Sequence, residues 1–158
     1  MTKIGVLGDT HGELKQALQA IGSLDVDLLL HTGDYYSDAI RLAEASGIKV
    51  IGVLGNCDFS SSGPKEKILE FEGKRIYLTH GHLYGVKKGC LNLFYRGKEV
   101  GADLVVYGHT HSWSQQRMED MIIFNPGSPS RPRNSGPTLG LIIINQGQIE
   151  VRKLEIKL

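Results

Sequence analysis

The N-terminal part of the chain alternates short apolar runs with amphipathic stretches, and every apolar run is followed within three residues by a glycine next to polar side chains. Lys3–Leu7 contains β-branched residues and stops at Gly8-Asp9. Leu14, Ala17, Leu18 and Ile21 then fall on one face at helical spacing. Asp27–Leu30 is a second apolar run, ending at His31-Thr32-Gly33-Asp34, and residues 38–46 repeat the helical pattern through Ile40, Leu42, Ala43 and Ala45. Lys49–Leu54 is a third run and leads into Gly55-Asn56-Cys57-Asp58. Strands that are apolar throughout and separated by helices predict parallel strands covered on both faces.

The texture then changes. Ser60 to Pro64 reads as a polar turn, and Ile68–Phe71 with Arg75–Thr79 around Glu72-Gly73 reads as a hairpin. Residues 87–100 are helical in pattern, although Gly89 and Gly97 weaken it. Asp103–Tyr107 is another buried strand pattern, ending at Gly108-His109. Ser114–Met118, Met121–Phe124, Thr138–Ile144 and Gln148–Lys153 follow as strands, and Pro126–Pro137, with four of the five prolines, is a loop. The pattern predicts an α/β fold in layers, two packed sheets flanked by helices, one sheet begun by parallel strands and completed by antiparallel ones. Polar residues gather at the carboxyl ends of the strands, where α/β proteins generally bind ligands. The length of 158 residues fits a single domain over 1–158, with no internal linker.

Composition narrows the function. With 41% hydrophobic and 22% charged residues the chain is an ordinary globular one. A net charge of +1 argues against a nucleic-acid binder that works through a basic surface. No apolar run is long enough to span a bilayer, and the N-terminal one is too short for a signal peptide. The two cysteines, Cys57 and Cys90, imply no disulfide framework. A cytoplasmic location without membrane association is the expectation.

Five strand ends deliver metal-binding side chains: Asp9 and His11, then Asp34, then Asn56, then His80, then His109 and His111. Taken singly these have plain explanations. Asp9-Thr10-His11 suits a helix cap, Gly33-Asp34 and Gly55-Asn56 suit turns, and His80 suits an interior histidine. Their recurrence after successive strands is not required by turn chemistry. Oxygen donors with imidazoles suit manganese, iron, zinc or nickel. Seven donors exceed one ordinary site, whereas two ions sharing a carboxylate would use them all.

The order Asp-x-His, Gly-Asp, Gly-Asn, His, Gly-His-x-His resembles the calcineurin-like metallophosphoesterase superfamily. Gly55-Asn56-Cys57-Asp58, Thr79-His80-Gly81-His82 and Asn125-Pro126-Gly127-Ser128 resemble its small prokaryotic, YfcE-type phosphodiesterase branch. The resemblance runs from Asp9 to Ser128 and implies a four-layer αββα sandwich. It implies that Asp9, His11 and His111 hold one ion, that Asn56, His80 and His109 hold a second, and that Asp34 bridges them. The implied cofactor is a pair of divalent ions, manganese first, with nickel, iron or zinc as alternatives. The implied reaction is hydrolysis of a small phosphodiester by a hydroxide bridging two ions roughly 3.5–4 Å apart, with Asn56 both ligand and phosphate donor.

Cys57 departs from the superfamily pattern, in which many members carry a histidine resembling a general acid. A thiol protonates an alkoxide poorly. His82 is the candidate replacement, the other reading being a loop histidine that touches only solvent or a supporting partner. His31 and Asp58 are expected to orient ligands, and Asn125 and Ser128 to line the pocket or simply make a turn. Tyr35 and Tyr36 flank the substrate or pack in the core. A scaffold of the same fold should lack ligands, and this sequence lacks none. A nucleotide or dinucleoside-polyphosphate hydrolase would show a basic insert, for which Arg131 and Arg133 are the one hint. A homodimer or homotetramer is compatible with the chain.

Overall fold

Apolar side chains alternate between the two faces of nearly every central strand, and this alternation builds three separate cores. The computed structural model describes residues 1–59, 62–134 and 136–157, so the expected turn at Ser60–Pro64 and the loop Pro126–Pro137 fall partly outside the described residues. The elements run β1 (Thr2–Leu7), α1 (Lys15–Gly22), β2 (Leu28–His31), α2 (Tyr36–Ser46), β3 (Val50–Gly52), β4 (Glu66–Phe71) and β5 (Lys74–Thr79). A 3-10 turn at His82–Tyr84 precedes α3 (Leu91–Val100), β6 (Leu104–Val106), β7 (Trp113–Met118), β8 (Met121–Pro126), β9 (Thr138–Asn145) and β10 (Gln148–Glu155).

The first sheet has the order β10-β9-β1-β2-β3 and the second β4-β5-β6-β8-β7. In the first, β1, β2 and β3 are parallel, and β9 and β10 complete the sheet antiparallel. In the second, β5, β6 and β8 are parallel, with β4 and β7 as antiparallel edges. Ile4, Val6, Leu28 and Leu30 of the first sheet meet Ile76, Leu78, Leu104, Val106 and Phe124 of the second. Leu7, Leu29 and Leu139, on the other face of the first sheet, pack against Ala17 and Ile21 of α1 and Leu42 of α2. Tyr77, Val105 and Ile123, on the other face of the second, pack against Leu93 and Phe94 of α3. Three cores between four layers make the αββα sandwich that the resemblance implied.

Two boundaries differ from the expected ones. The helix anticipated over 87–100 begins only at Leu91, because Gly89 lies at φ 141°, outside the helical region, and the 3-10 turn takes up the chain before it. The apolar run Lys49–Leu54 is paired only over Val50–Gly52, after which the chain leaves the sheet toward Asn56.

The layer between the sheets sets much of the stability. Phe124 is fully buried there, its ring 5.8 Å from that of Trp113. Phe124→Ala is expected to cost roughly 3–5 kcal/mol, read as a lower midpoint in urea unfolding with an unchanged slope.

Candidate metal centre

Asp9, Asp34 and Asn56 follow β1, β2 and β3, while His80 and His109 follow β5 and β6, so both sheets present their donors from the carboxyl ends of parallel strands. Thr32, just after β2, lies between the ends of β1 and β6. A Cβ added at Gly8 or at Gly108 would collide with the Thr32 side chain, so only glycine lets the ends of β1 and β6 approach this residue. The donor backbones are themselves unusual. Asp9 (φ 53°), His11 (47°), Asp34 (58°), His109 (76°) and His111 (60°) all adopt the left-handed region, which costs a non-glycine residue on the order of 1 kcal/mol each. Such conformations persist only where surrounding contacts over-determine them, and they cluster at functional sites.

All seven expected donors come together, in two groups. Ligand atoms of Asp9, His11, Asp34 and His111 lie within 4.8 Å of one another. His11 Nε2 faces His111 Nε2 at 3.3 Å and stands 3.6 Å from Asp34 Oδ2. In the second group, His80 Nε2 is 3.0 Å from Asn56 Oδ1 and 3.4 Å from Asp34 Oδ1, and the His80 and His109 rings are 5.1 Å apart. Asp34 thus turns one carboxylate oxygen toward each group.

The outer contacts leave the inner atoms free. His80 Nδ1 is 2.9 Å from the Thr32 carbonyl and His111 Nδ1 is 2.8 Å from that of Arg131. A proton on each Nδ1 donates to these carbonyls and leaves Nε2 with its lone pair, the usual way a ligating imidazole is oriented. Burial pushes His109 down to about 4 and also lowers His11 and His111, so these rings are neutral. Burial opposes a charged His80 as well, but hydrogen bonding to Asp34 and the charge of Asp9 outweigh it and raise its pKa. Burial likewise works against an ionised Asp34, yet His80 and the Cys57 amide hold it well below the usual carboxylate range.

Asp9 is the exposed nerve of this arrangement. It is completely buried, and burial pushes its pKa up to about 7 against the attraction of His80. Its Oδ2 accepts the His109 amide at 3.0 Å, while Oδ1 has no hydrogen-bond partner at all. That orphaned oxygen lies 3.7 Å from His111 Nε2 and 3.9 Å from His80 Nδ1. A buried acceptor without a hydrogen-bond partner, and two ring nitrogens of neutral imidazoles facing each other, are the arrangement a bound cation satisfies. The residues present fit a divalent metal.

A ring of buried polar groups carries the donor loops. His31, fully buried and pushed down to about 4 by that burial, accepts the Gly33 amide at Nδ1 and meets Thr10 Oγ1 at Nε2. Thr10 Oγ1 donates to Asp38, which also accepts the Gly12 amide and pairs with Arg41. Asp58 accepts the amides of Tyr36 and Gly55, both at 2.7 Å, and so braces the turn carrying Asn56. Asn125 donates to the Gly108 carbonyl and to Thr110, and Ser128 donates to the Asp9 carbonyl. Asn125 and Ser128 are fully buried supports of the loops rather than walls of a pocket. Thr10 and Asp38 were not singled out from the sequence. An acid on the buried face of an amphipathic helix, beside Ala39 and Leu42, was the available signal.

Over the donors lies a cleft of about 320 Å³, walled by Asn56, Cys57, His109 and His111 and rimmed by Lys87 and Arg133. Burial, with the charge of Asp34, pushes the Cys57 thiol up to about 11, so it keeps its proton. His82 is not among the residues that wall this cleft. Its ring stands 5.3 Å from that of His80 and 6.2 Å from that of His109, half-buried, with a pKa lowered by burial and an unpartnered Nδ1. Tyr35 is exposed and stands 5.1 Å from the His11 ring, whereas Tyr36 lies against Gly52 and Gly63.

Residues 2–147 match the model of the calcineurin-like phosphoesterase superfamily domain. The chain is 36% identical to the probable metallophosphoesterase YsnB of Bacillus subtilis over 132 residues, covering 81% of this chain and 75% of that protein. It is 31% identical to the phosphodiesterase YfcE of Escherichia coli K12 over 164 residues, covering 87% and 84%. The crystal structure of an uncharacterised predicted phosphoesterase from Streptococcus pneumoniae TIGR4 superposes with a TM-score of 0.82 at 26% identity, over 99% of this chain and 92% of that one. With the αββα layers and the convergent Asp, Asn and His donors already in place, the matches make this chain a member of the calcineurin-like phosphoesterase superfamily.

Proposed function

We propose that this chain is a phosphodiesterase that hydrolyses small phosphodiesters with two divalent ions, manganese first and nickel, iron or zinc as alternatives. One observation carries the reading: seven donors converge in two groups, and one of them, the fully buried Asp9, has a carboxylate oxygen with no hydrogen-bond partner. Asp9, His11 and His111 would hold one ion, Asn56, His80 and His109 the other, with Asp34 reaching both. Two divalent ions so held supply the acidity that turns water into a nucleophile at neutral pH and the charge that stabilises the phosphoryl oxygens. The phosphodiesterase preference is supported by the likeness to YfcE.

The chain's own groups do the rest. The Asn56 amide oxygen faces His80, while Nδ2 lies 3.7 Å from Cys57 Sγ on the cleft side, where it can donate to a phosphoryl oxygen. The retained proton of Cys57 is weakly acidic, so diesters with good leaving groups suit the site. Poorer leaving groups need a proton from elsewhere; His82, the candidate in this reading, does not line the cleft and would have to deliver it through water.

Hydrolysis of bis-p-nitrophenyl phosphate by chelator-treated protein should require added manganese and disappear in His109→Ala. Turnover should exceed that on p-nitrophenyl phosphate. Metal bound without turnover of any activated ester would replace this reading with the scaffold one. His82→Ala should slow an alkyl-leaving diester more than an aryl-leaving one at equal metal content. An equal effect on both would remove His82 from the proton path.

Asp9 gives a test independent of turnover. Because its pKa in the fold, about 7, lies above the ordinary 3.8, the stability it contributes is full below pH 3.8 and is lost as pH rises through 7. At pH 8 without metal, Asp9→Asn should therefore melt higher than wild type, by at least about 3 °C. Saturating manganese should reverse the order, since it stabilises only the protein that binds it. Calorimetric scans with and without chelator read both states.

A further inference from the structure

The cleft above the donors continues past its rim. Lys87 and Arg133, which border the cleft, also border a second groove of about 540 Å³. That groove is also lined by a third cation, Lys88, by the polar groups of Tyr107, Ser112, Ser114 and Gln116, and by apolar Val86, and no carboxylate lines it. Two cations therefore stand between the donor cleft and an acid-free extension of it.

Exposed cations are commonly solvated and idle, but these two differ from their neighbour. Arg131 is paired with Glu13 at 3.2 Å. Among the described residues, the side chains of Lys87 and Arg133 have no hydrogen-bond or ion-pair partner. Their backbones are nonetheless anchored to the site. The Arg133 amide donates to the carbonyl of His111 at 2.9 Å and its carbonyl accepts from Ser112 Oγ at 2.8 Å. Lys87 follows Val86, which is buried against Tyr77 and Tyr107 in the core beneath α3. On a chain whose net charge is only +1, two anchored, unpaired cations facing an acid-free groove are a local excess. The chemistry that answers it is a second anion, and a guanidinium fork beside an ammonium point charge suits a phosphate group.

We infer that the groove receives one ester arm of the substrate and that Lys87 and Arg133 bind a second phosphate carried on that arm. The substrate class is a small phosphodiester with a further phosphate, of the kind made by a nucleoside 5′-diester that bears a 3′-phosphate. The inference rests on the phosphodiesterase reading for its reaction, while the anion site stands on the groove itself.

The test compares the p-nitrophenyl ester of thymidine 5′-phosphate with the same ester carrying a 3′-phosphate, on manganese-loaded protein. The 3′-phosphate should raise kcat/KM about tenfold or more, chiefly through KM, the size expected of charge-assisted contacts. In the Lys87→Ala/Arg133→Ala double variant the ratio between the two esters should fall close to one. Titration calorimetry of thymidine 3′,5′-bisphosphate against thymidine 5′-monophosphate should give the same preference and the same loss, without turnover. No preference in the wild type, or a preference that survives in a folded double variant, overturns the inference. Should neither ester be hydrolysed while the calorimetric preference holds, the phosphodiesterase reading fails and the anion site remains.

Discussion

The buried carboxylate of Asp9 is the point on which the rest of the site depends. Its amide donates to the Gly33 carbonyl, its own carbonyl accepts from Ser128, and Oδ2 accepts the His109 amide. One residue after β1 thereby ties together the loops that follow β2, β6 and β8, drawn from both sheets. The remaining oxygen is left without a partner, at a depth where an isolated acceptor costs several kcal/mol. Asp9 and four donors in the loops around it, His11, Asp34, His109 and His111, adopt left-handed backbone conformations. Fold stability is given up to an arrangement that a bound cation would satisfy.

Charge follows from the same burial. The imidazoles of His11, His109 and His111 are kept neutral, while Asp34 is kept ionised and placed between the two donor groups. Neutral nitrogens beside an ionised carboxylate are the protonation states that ligation needs. His80, drawn toward its charged form by Asp34 and Asp9, is where a proton would compete with a metal. His31, buried and neutral behind them, keeps the loop after β2 in shape without contributing a donor.

The layers explain why the donors meet in one place. Parallel strands all finish at the same end of their sheet, and the sandwich brings the finishing ends of β1, β2 and β3 over those of β5 and β6. Thr32, pressed against glycines on both sheets, sets how closely those ends approach. The helices α1, α2 and α3 stay on the outer faces and leave this end open, so the cleft is bounded by loops whose side chains can vary.

Taken alone, the sequence determined the elements, the order of layers and the seven donors. Local pattern is enough for these: apolar runs of strand length, helical spacing between them, and a polar residue after each run. The turns that carry Asp9, Asp34, Asn56 and His109 are local as well, since each is a glycine-flanked break in a strand. What surrounds the donors is non-local and was decided by tertiary structure. The bond of Asp9 to His109 spans a hundred residues, and those of Ser128 and Ser130 to the Asp9 loop span still more. Asp38 reads as one acid on a helix until the packing of α2 sets it under Thr10 and Gly12. Lys87 and Arg133, far apart in the chain, become a pair only because the turns after β5 and β8 border the same groove. Donor identity travels with the residue, but burial, orientation and protonation arise from neighbours that only the folded chain brings into contact.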